Sequence, residues 1–189
     1  MNTKTATLDG RFVHHRYVQW INVTAVGTAL FPVLTMCLQV PVFENYYLCL
    51  GYVVMAVCLY SFGTLSGTFV GTAGVILYCV LTNGLRGMPG WALGNVVIGL
   101  IVGTAFRLTR TVRNRWIRAA VHFLAIAVSA ALGILIVKSL TESLLYAQPM
   151  AVRIGKNVFA FAADIFVLEV SLPVCFMLEA PLEKLRKQR

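Results

Sequence analysis

The last long apolar segment of the chain carries polar side chains at helical spacing. Arg153, Lys156 and Asn157 lie near its start, and Asp164 and Glu169 lie further along. On an α-helix Arg153, Asn157 and Asp164 fall within about 40° of one another, whereas Glu169 points to the opposite face. A carboxylate in such a segment is expensive unless it pairs with a cation or faces an interior cavity. Asp164 is therefore a candidate ligand-binding residue or one half of a structural pair, and Lys156 and Asn157 are candidate ligand-binding residues.

Two further stretches place polar and aromatic side chains between apolar segments. "TNGLRGMPGW" (82–91) interrupts two such segments, and "VPVFENYYL" (40–48) lies between two others. Aromatic rings with a few placed donors and acceptors form the walls of sites for flat, polar-edged ligands of vitamin size. We expect these stretches and the start of the last segment to form one outward-facing cup. Its candidate ligand-binding residues are Glu44, Asn45, Tyr47, Asn83, Arg86, Trp91, Asn95, Lys156, Asn157 and Asp164.

Patterns typical of catalytic, nucleotide and metal sites are missing from the sequence. "RIGKNV" (153–158) has a Gly-Lys pair without the upstream glycine and the hydroxyl residue of a P-loop, and neither HExxH nor GxSxG occurs. The five cysteines form no CxxC or Cys/His cluster. We therefore predict no enzyme activity, no metal site and no cofactor.

The composition places the chain in a lipid bilayer. Of its 189 residues 59% are hydrophobic and only 12% are charged, with a mean hydropathy of +0.80. Soluble domains are about 25% charged, so this chain lacks the polar residues to cover itself in water. We predict an all-α integral membrane protein whose residues 1–189 form a single membrane domain.

Hydropathy predicts six transmembrane helices. At about 20 residues a span, the chain has room for roughly six crossings with short loops. The predicted helices are about 17–40, 46–62, 63–82, 91–106, 117–137 and 152–178.

The positive charges predict the orientation. With six spans, one side collects Lys4, Arg11, Arg16, Arg107, Arg110, Arg113, Arg115, Arg118, Lys184, Arg186, Lys187 and Arg189, and the other receives Arg86, Lys138, Arg153 and Lys156. Because positive residues stay in the cytoplasm, both termini are predicted to be cytoplasmic and the turn at Asn83 to face outward. The net charge of +9 is distributed among these flanking loops. It indicates contact with anionic lipid rather than with nucleic acid.

Small residues predict where the helices approach each other closely. The third span carries Gly63, Gly67, Gly71 and Gly74, and the fourth carries Gly94, Gly99 and Gly103. Glycines at three- and four-residue spacing let helices pack closely in lipid, and some such patches dock a partner helix.

Three stretches resemble the substrate-binding S component of energy-coupling factor (ECF) vitamin transporters, in the riboflavin-type branch. They are "AVGTALFPVLT" (25–35), "FGTLSGTFVGTAG" (62–74) and "GMPGWALGNVVIGLIVG" (87–103). The resemblance implies a six-helix subunit of the bacterial cell membrane that captures a vitamin, with riboflavin the best single candidate. It also implies a transmembrane coupling subunit, docked at Ala25 and Ala29, and two ATPases. The chain has Val75 where that branch carries a histidine, which leaves the identity of the vitamin open.

Two other classes of function are compatible with the same sequence. One is a stand-alone small-solute carrier or channel, which inverted repeats with broken helices would favour. The other is a structural or assembly factor without a ligand, in which 83–91 is only a turn.

Overall fold

A computed structural model describes the backbone of residues 3–37, 41–43 and 46–187 and the side chains of residues 17–37, 48–179 and 181. Within these ranges the chain forms six helices joined by short connections. They are α1 (Thr3–Cys37), α2 (Gly51–Phe62), α3 (Thr64–Leu81), α4 (Met88–Leu108), α5 (Arg115–Tyr146) and α6 (Met150–Lys187). Five contain a stretch long and apolar enough to cross a membrane, and α2 is a shorter apolar helix of 12 residues. The helical membrane fold predicted from the sequence is confirmed.

The second span begins later than predicted. Strand β1 (Pro41–Phe43) pairs antiparallel with β2 (Tyr46–Tyr47), so Tyr46 and Tyr47 are not helical, and α2 starts only at Gly51. At 1.5 Å per residue α2 is about 18 Å long, short of the roughly 30 Å hydrocarbon core. The prediction of a helix over 46–62 was therefore wrong at its start.

Most other helices extend beyond the predicted limits, whereas α3 agrees with its prediction to within a residue. Helix α4 begins at Met88 rather than at 91, because Pro89 lies in its first turn, where a missing N–H costs nothing. Helix α5 continues past 137, through a π-helical segment (Ala131–Lys138), to Tyr146. Helix α1 begins earlier than predicted, and α6 extends beyond its predicted limits at both ends.

The connections define two ends of the bundle. The hairpin end carries β1–β2, the 82–87 turn and the 147–149 turn, and there the Arg86 guanidinium lies over the Tyr146 ring. The arginine end carries Gly63 and the segment 109–114, and there Arg110 donates to the Tyr60 carbonyl oxygen at 3.1 Å. Gly63 joins α2 to α3 at φ 103°, a backbone conformation that other residues rarely adopt.

Glycines set the distances between neighbouring helices, as their spacing predicts. A Cβ at Gly94 of α4 would lie 2.7 Å from the Gly133 carbonyl oxygen of α5. A Cβ at Gly103 would lie 2.8 Å from the Thr64 Cα of α3. Large buried side chains, among them Phe31, Tyr52 and Leu59, fill the remaining interior. Close backbone approach through small residues is how helices associate without a hydrophobic driving force in lipid.

A cluster of rings closes the arginine end. His122 of α5 is fully buried, with its ring centroid 4.5 Å from that of Phe106 and 5.8 Å from that of Phe176. Its Nε2 lies 2.6 Å from the Thr109 hydroxyl oxygen. Arg118 donates to both carboxylate oxygens of Glu179, at 2.7 and 2.6 Å. These contacts tie α4, α5 and α6 together, so His122 serves packing within the bundle.

Candidate functional site

Tyr52 is the hub of a hydrogen-bond network inside the hairpin-end half of the bundle. Its hydroxyl donates to Asn95 Oδ1 at 2.7 Å and accepts from Trp91 Nε1 at 2.9 Å. Asn95 in turn donates through Nδ2 to the Gly71 carbonyl oxygen at 2.8 Å. Tyr52 and Asn95 are fully buried. The network thus links α2, α3 and α4 and holds the indole of Trp91 in one orientation.

Two opposite charges lie beside this network. The Asp164 carboxyl of α6 is buried next to the Tyr52 hydroxyl, and the Lys138 ammonium of α5 is near enough to act on it electrostatically without a direct ion pair. Lys138 Nζ lies 5.9 Å from the centre of the Trp91 ring, and Tyr78 packs edge-on against that ring at 5.6 Å. The buried Asp164 carboxyl and the half-buried Lys138 and Trp91 side chains therefore lie around the Tyr52 network. We call Tyr52, Trp91, Asn95, Lys138 and Asp164 the inner layer.

A second polar layer lies nearer the hairpin end, with Glu142 about one turn beyond Lys138 on α5 and Asn157 about two turns before Asp164 on α6. Asn157 Nδ2 donates to the Ser139 hydroxyl at 3.0 Å and to Glu142 Oε2 at 3.3 Å. Arg153 forms an ion pair with the same Glu142 oxygen at 3.4 Å. Ser139, Glu142 and Asn157 are buried. These four side chains, the middle layer, join α5 to α6.

The outermost layer lies where the turns meet. Two guanidinium groups lie over the Tyr146 ring, that of Arg86 at 5.0 Å and that of Arg153 at 5.5 Å from its centre. Its hydroxyl donates to the carbonyl oxygen of Arg86 in the 82–87 turn. Arg86 and Tyr146 form the outer layer, and the three layers together form a polar column from the surface to Asp164.

Helical spacing builds the column from two helices. Lys138, Glu142 and Tyr146 follow each other at four-residue steps on α5, which places them along one face. On α6, Arg153, Asn157 and Asp164 share a face, as the sequence predicts.

The π-helical segment sets the register of α5. Ile134 and Ser139 are both buried five residues apart, and the Ser139 hydroxyl donates to the Ile134 carbonyl oxygen at 3.4 Å. An ordinary α-helix would turn residue 139 about 140° from residue 134. The wider turn of the π segment compensates and directs Ser139 and Glu142 to the interior.

The structure brings together part of the predicted set. Trp91, Asn95, Asn157 and Asp164 lie in the column, and Arg86 lies at its outer layer. The amide groups of Asn95 and Asn157 hydrogen-bond within the protein, so both position their neighbours.

The other predicted residues do not lie in the column. Asn83 is exposed on the turn at φ 56°, Lys156 is exposed on α6, and the structure describes no contact between either side chain and Trp91. The structure therefore does not bring Asn83 and Lys156 together with Trp91 in the predicted cup. The reason is that Lys156 lies one residue away from the inward face defined by Asn157. Glu44 and Asn45 lie outside the described residues, as does the side chain of Tyr47.

Tyr52, Lys138, Ser139, Glu142 and Tyr146 were not identified from the sequence. A signal existed for two of them, because Lys138 and Glu142 are ionisable residues four apart inside an otherwise apolar run. Tyr52 carried no such signal, since an isolated tyrosine in a span is typical of core packing. The described residues hold no group of three or more His, Cys, Asp or Glu side chains able to bind a metal ion.

The chain is thus a multi-pass membrane protein with a polar column between its helices, and ionisable side chains inside spanning segments mark candidate sites for solutes or ions. The family model for the ECF-type riboflavin transporter, S component, matches residues 17–176, and the chain belongs to this family. It is therefore a vitamin-binding transporter subunit and not an enzyme. Members of the family work with a coupling subunit and ATPases in general.

Two curated relatives come from Streptococcus thermophilus. A UPF0397 protein of strain ATCC BAA-491 / LMD-9 is 23% identical over 155 residues, covering 81% of this chain and 85% of that protein. UPF0397 protein str0306 of strain CNRZ 1066 is 30% identical over 86 residues, covering 46% of this chain and 47% of that protein. No solved structure matches the chain.

Proposed function

We propose that this chain captures riboflavin at the inner layer of the polar column and delivers it through a coupling subunit driven by separate ATPases. The observation that carries the proposal is the placement of the buried Asp164 carboxyl beside the Tyr52 hydroxyl, with the Trp91 ring hydrogen-bonded to that hydroxyl and Lys138 Nζ 5.9 Å from the ring centre. Family membership supports a vitamin as ligand, and the chemistry of the inner layer supports a flat one.

The inner layer offers the groups that a flavin ring requires. The isoalloxazine ring is flat and has alternating carbonyl oxygens and ring nitrogens along one edge. Trp91 and Tyr78 supply aromatic surface, and the Lys138 ammonium and Asp164 carboxyl supply a donor and an acceptor. A few placed polar groups among aromatic walls fix the orientation of such a ligand.

The proposed orientation places the hairpin end outside the cell. Twelve of the 16 Lys and Arg residues are assigned to the arginine end and the termini, which supports a cytoplasmic location for that end and for both termini. An Asn83→Cys variant in a Cys37→Ser background should react with a membrane-impermeant maleimide in intact cells. Reaction only after permeabilisation would contradict the orientation.

Calorimetric titration of the purified protein against a panel of vitamins tests the ligand. We expect heat of binding with riboflavin. Lys138→Met should weaken that binding at least tenfold, because a hydrogen bond from a charged group contributes about 1.5–3 kcal/mol. Lys156→Met removes the same charge from an exposed position of α6, so it should change the affinity by less than about twofold.

Three results would contradict the proposal in different ways. Binding of another vitamin alone would exclude riboflavin as the ligand and leave the site in place. If thermal unfolding shows that Lys138→Met and Lys156→Met are both folded and they lose the same affinity for the vitamin, the binding site lies nearer the surface than proposed. Uptake into liposomes that lack any ATPase would instead support the stand-alone carrier.

A further inference from the structure

The outer layer of the polar column joins two separate turns through one side chain. Tyr146 ends α5, and its hydroxyl donates to the backbone carbonyl of Arg86 in the 82–87 turn. The guanidinium groups of Arg86 and Arg153 lie over its ring, at 5.0 and 5.5 Å from the ring centre. A cation close to an aromatic face contributes favourable energy even at exposed sites. Tyr146 thus fastens the α3–α4 turn to α5 and α6.

These contacts lie directly above the buried part of the column. Arg153 also pairs with Glu142 of the middle layer, and Asn157 connects Glu142 to Ser139. The same 82–87 turn leads into α4, whose first turns carry Trp91. A side chain that holds this turn in place therefore also holds one side of the path to the inner layer.

The contacts of the outer layer are weak enough to open and close reversibly. Arg86 is exposed and Tyr146 and Arg153 are partly exposed, so water competes for the cation–ring contacts. By contrast, the arginine end is closed by buried rings and by the two-bond Arg118–Glu179 pair. Among the side chains that the structure describes, those at the hairpin end form the weaker contacts.

We propose that Tyr146 is a gating residue that controls how fast the ligand enters and leaves the polar column. This inference rests on the function proposed above, because it takes the inner layer as the binding site. Opening breaks the Tyr146–Arg86 hydrogen bond and separates the ring from both guanidinium groups. The 82–87 turn then moves away from α5 and α6.

Rates of ligand binding test the gate. The quenching of riboflavin fluorescence on rapid mixing reports association, and the recovery of fluorescence when the complex is diluted reports dissociation. Tyr146→Ala should raise both rate constants about fivefold to tenfold and change the dissociation constant by less than about threefold, because the gate is lost in the free and bound states alike. Tyr146→Phe keeps the ring and loses only the hydroxyl, so its rates should lie between those of the wild type and Tyr146→Ala. Leu145→Ala, at an exposed neighbouring position, should leave the rates unchanged.

A second measurement needs no ligand. Ser139 is fully buried beneath the outer layer, so the thiol of a Ser139→Cys variant in the Cys37→Ser background should react slowly with a small maleimide. Adding Tyr146→Ala should increase that reaction rate at least fivefold, and adding Leu145→Ala should not. Unchanged thiol reactivity would overturn the gate even if no vitamin binds. Failure of the wild-type protein to bind any vitamin, with the reactivity change present, would contradict only the proposed ligand function. Slower association in Tyr146→Ala would show that Tyr146 contacts the ligand and does not gate it.

Discussion

A single hydroxyl group organises the inner layer. The Tyr52 hydroxyl accepts from Trp91 of α4 and donates to Asn95 of the same helix, and the Asp164 carboxyl of α6 lies beside it. Asn95 is anchored to the Gly71 carbonyl oxygen of α3. Because Tyr52, Asn95 and Asp164 are buried, their polar groups must keep partners inside the protein. The orientation of Trp91 therefore depends on Tyr52, a residue of another helix.

Tyr52→Phe tests this dependence. Removal of the hydroxyl leaves Asn95 Oδ1 and Trp91 Nε1 without that partner in a buried site. We expect the free energy of unfolding to fall by about 1–3 kcal/mol, with weaker ligand binding as Trp91 loses its fixed orientation. Thermal unfolding in detergent and calorimetry measure the two effects. Tyr17→Phe makes the same change at an exposed position and serves as the control. Unchanged stability in Tyr52→Phe would mean that the network contributes little.

Helices α4 and α5 are in closest contact beside the inner layer of the column. Gly94 and Gly133 face each other so closely that a Cβ on either would lie 2.7 Å from the other's carbonyl oxygen. Gly133 belongs to the π-helical segment that directs Ser139 and Glu142 inward. One turn from Gly94 lie Trp91 on one side and Ile98 on the other, both packed in the core. The position of Lys138 relative to Trp91 thus depends on this contact.

Gly94→Ala should push the two helices apart. The obstructing atom is a backbone oxygen, which cannot move aside as a side chain can, so we expect a loss of about 1–3 kcal/mol in the free energy of unfolding. Gly155→Ala, in α6, meets no atom within 4 Å and should be neutral or stabilising by up to about 1 kcal/mol. Chemical or thermal unfolding compares the two variants. Equal stability of both would show that α4 and α5 are not in tight contact.

On the scale of the whole molecule, α1 presents one face to the bundle and one to its surroundings. Thr24, Gly27 and Phe31 are buried against the other helices. Ala25 and Ala29 lie on the exposed face, one turn apart. Small residues on an exposed helix face allow close approach of a partner helix in lipid. The expected coupling-subunit contact at Ala25 and Ala29 therefore lies on the outside of α1, away from the polar column.

Because the exposed face of α1 is separate from the polar column, binding and uptake should respond differently to changes at Ala25 and Ala29. Ala25→Trp and Ala29→Trp should leave vitamin binding by the isolated protein unchanged and abolish uptake by the complete transporter, because the indole prevents close helix contact. Ala120→Trp, on the exposed face of α5, should leave both unchanged. Binding by calorimetry and uptake of labelled vitamin into cells provide the two measurements. Loss of binding together with uptake would indicate misfolding, and normal uptake would place the partner contact elsewhere.

Local sequence determined the features of this protein that depend on one segment at a time. The apolar lengths predicted the helices, glycine spacing predicted their close contacts, and periodicity predicted the shared face of Arg153, Asn157 and Asp164. Only the tertiary structure decided which groups meet. Helical periodicity gives the angle of a residue on its own helix and does not show which neighbour it faces. For that reason the sequence alone did not identify Tyr52 and Lys138 as neighbours of Asp164, which depends on how the helices pack. The late start of α2 depends on pairing between β1 and β2, and the inward turn of Glu142 depends on the π segment, where the regular 100° step fails.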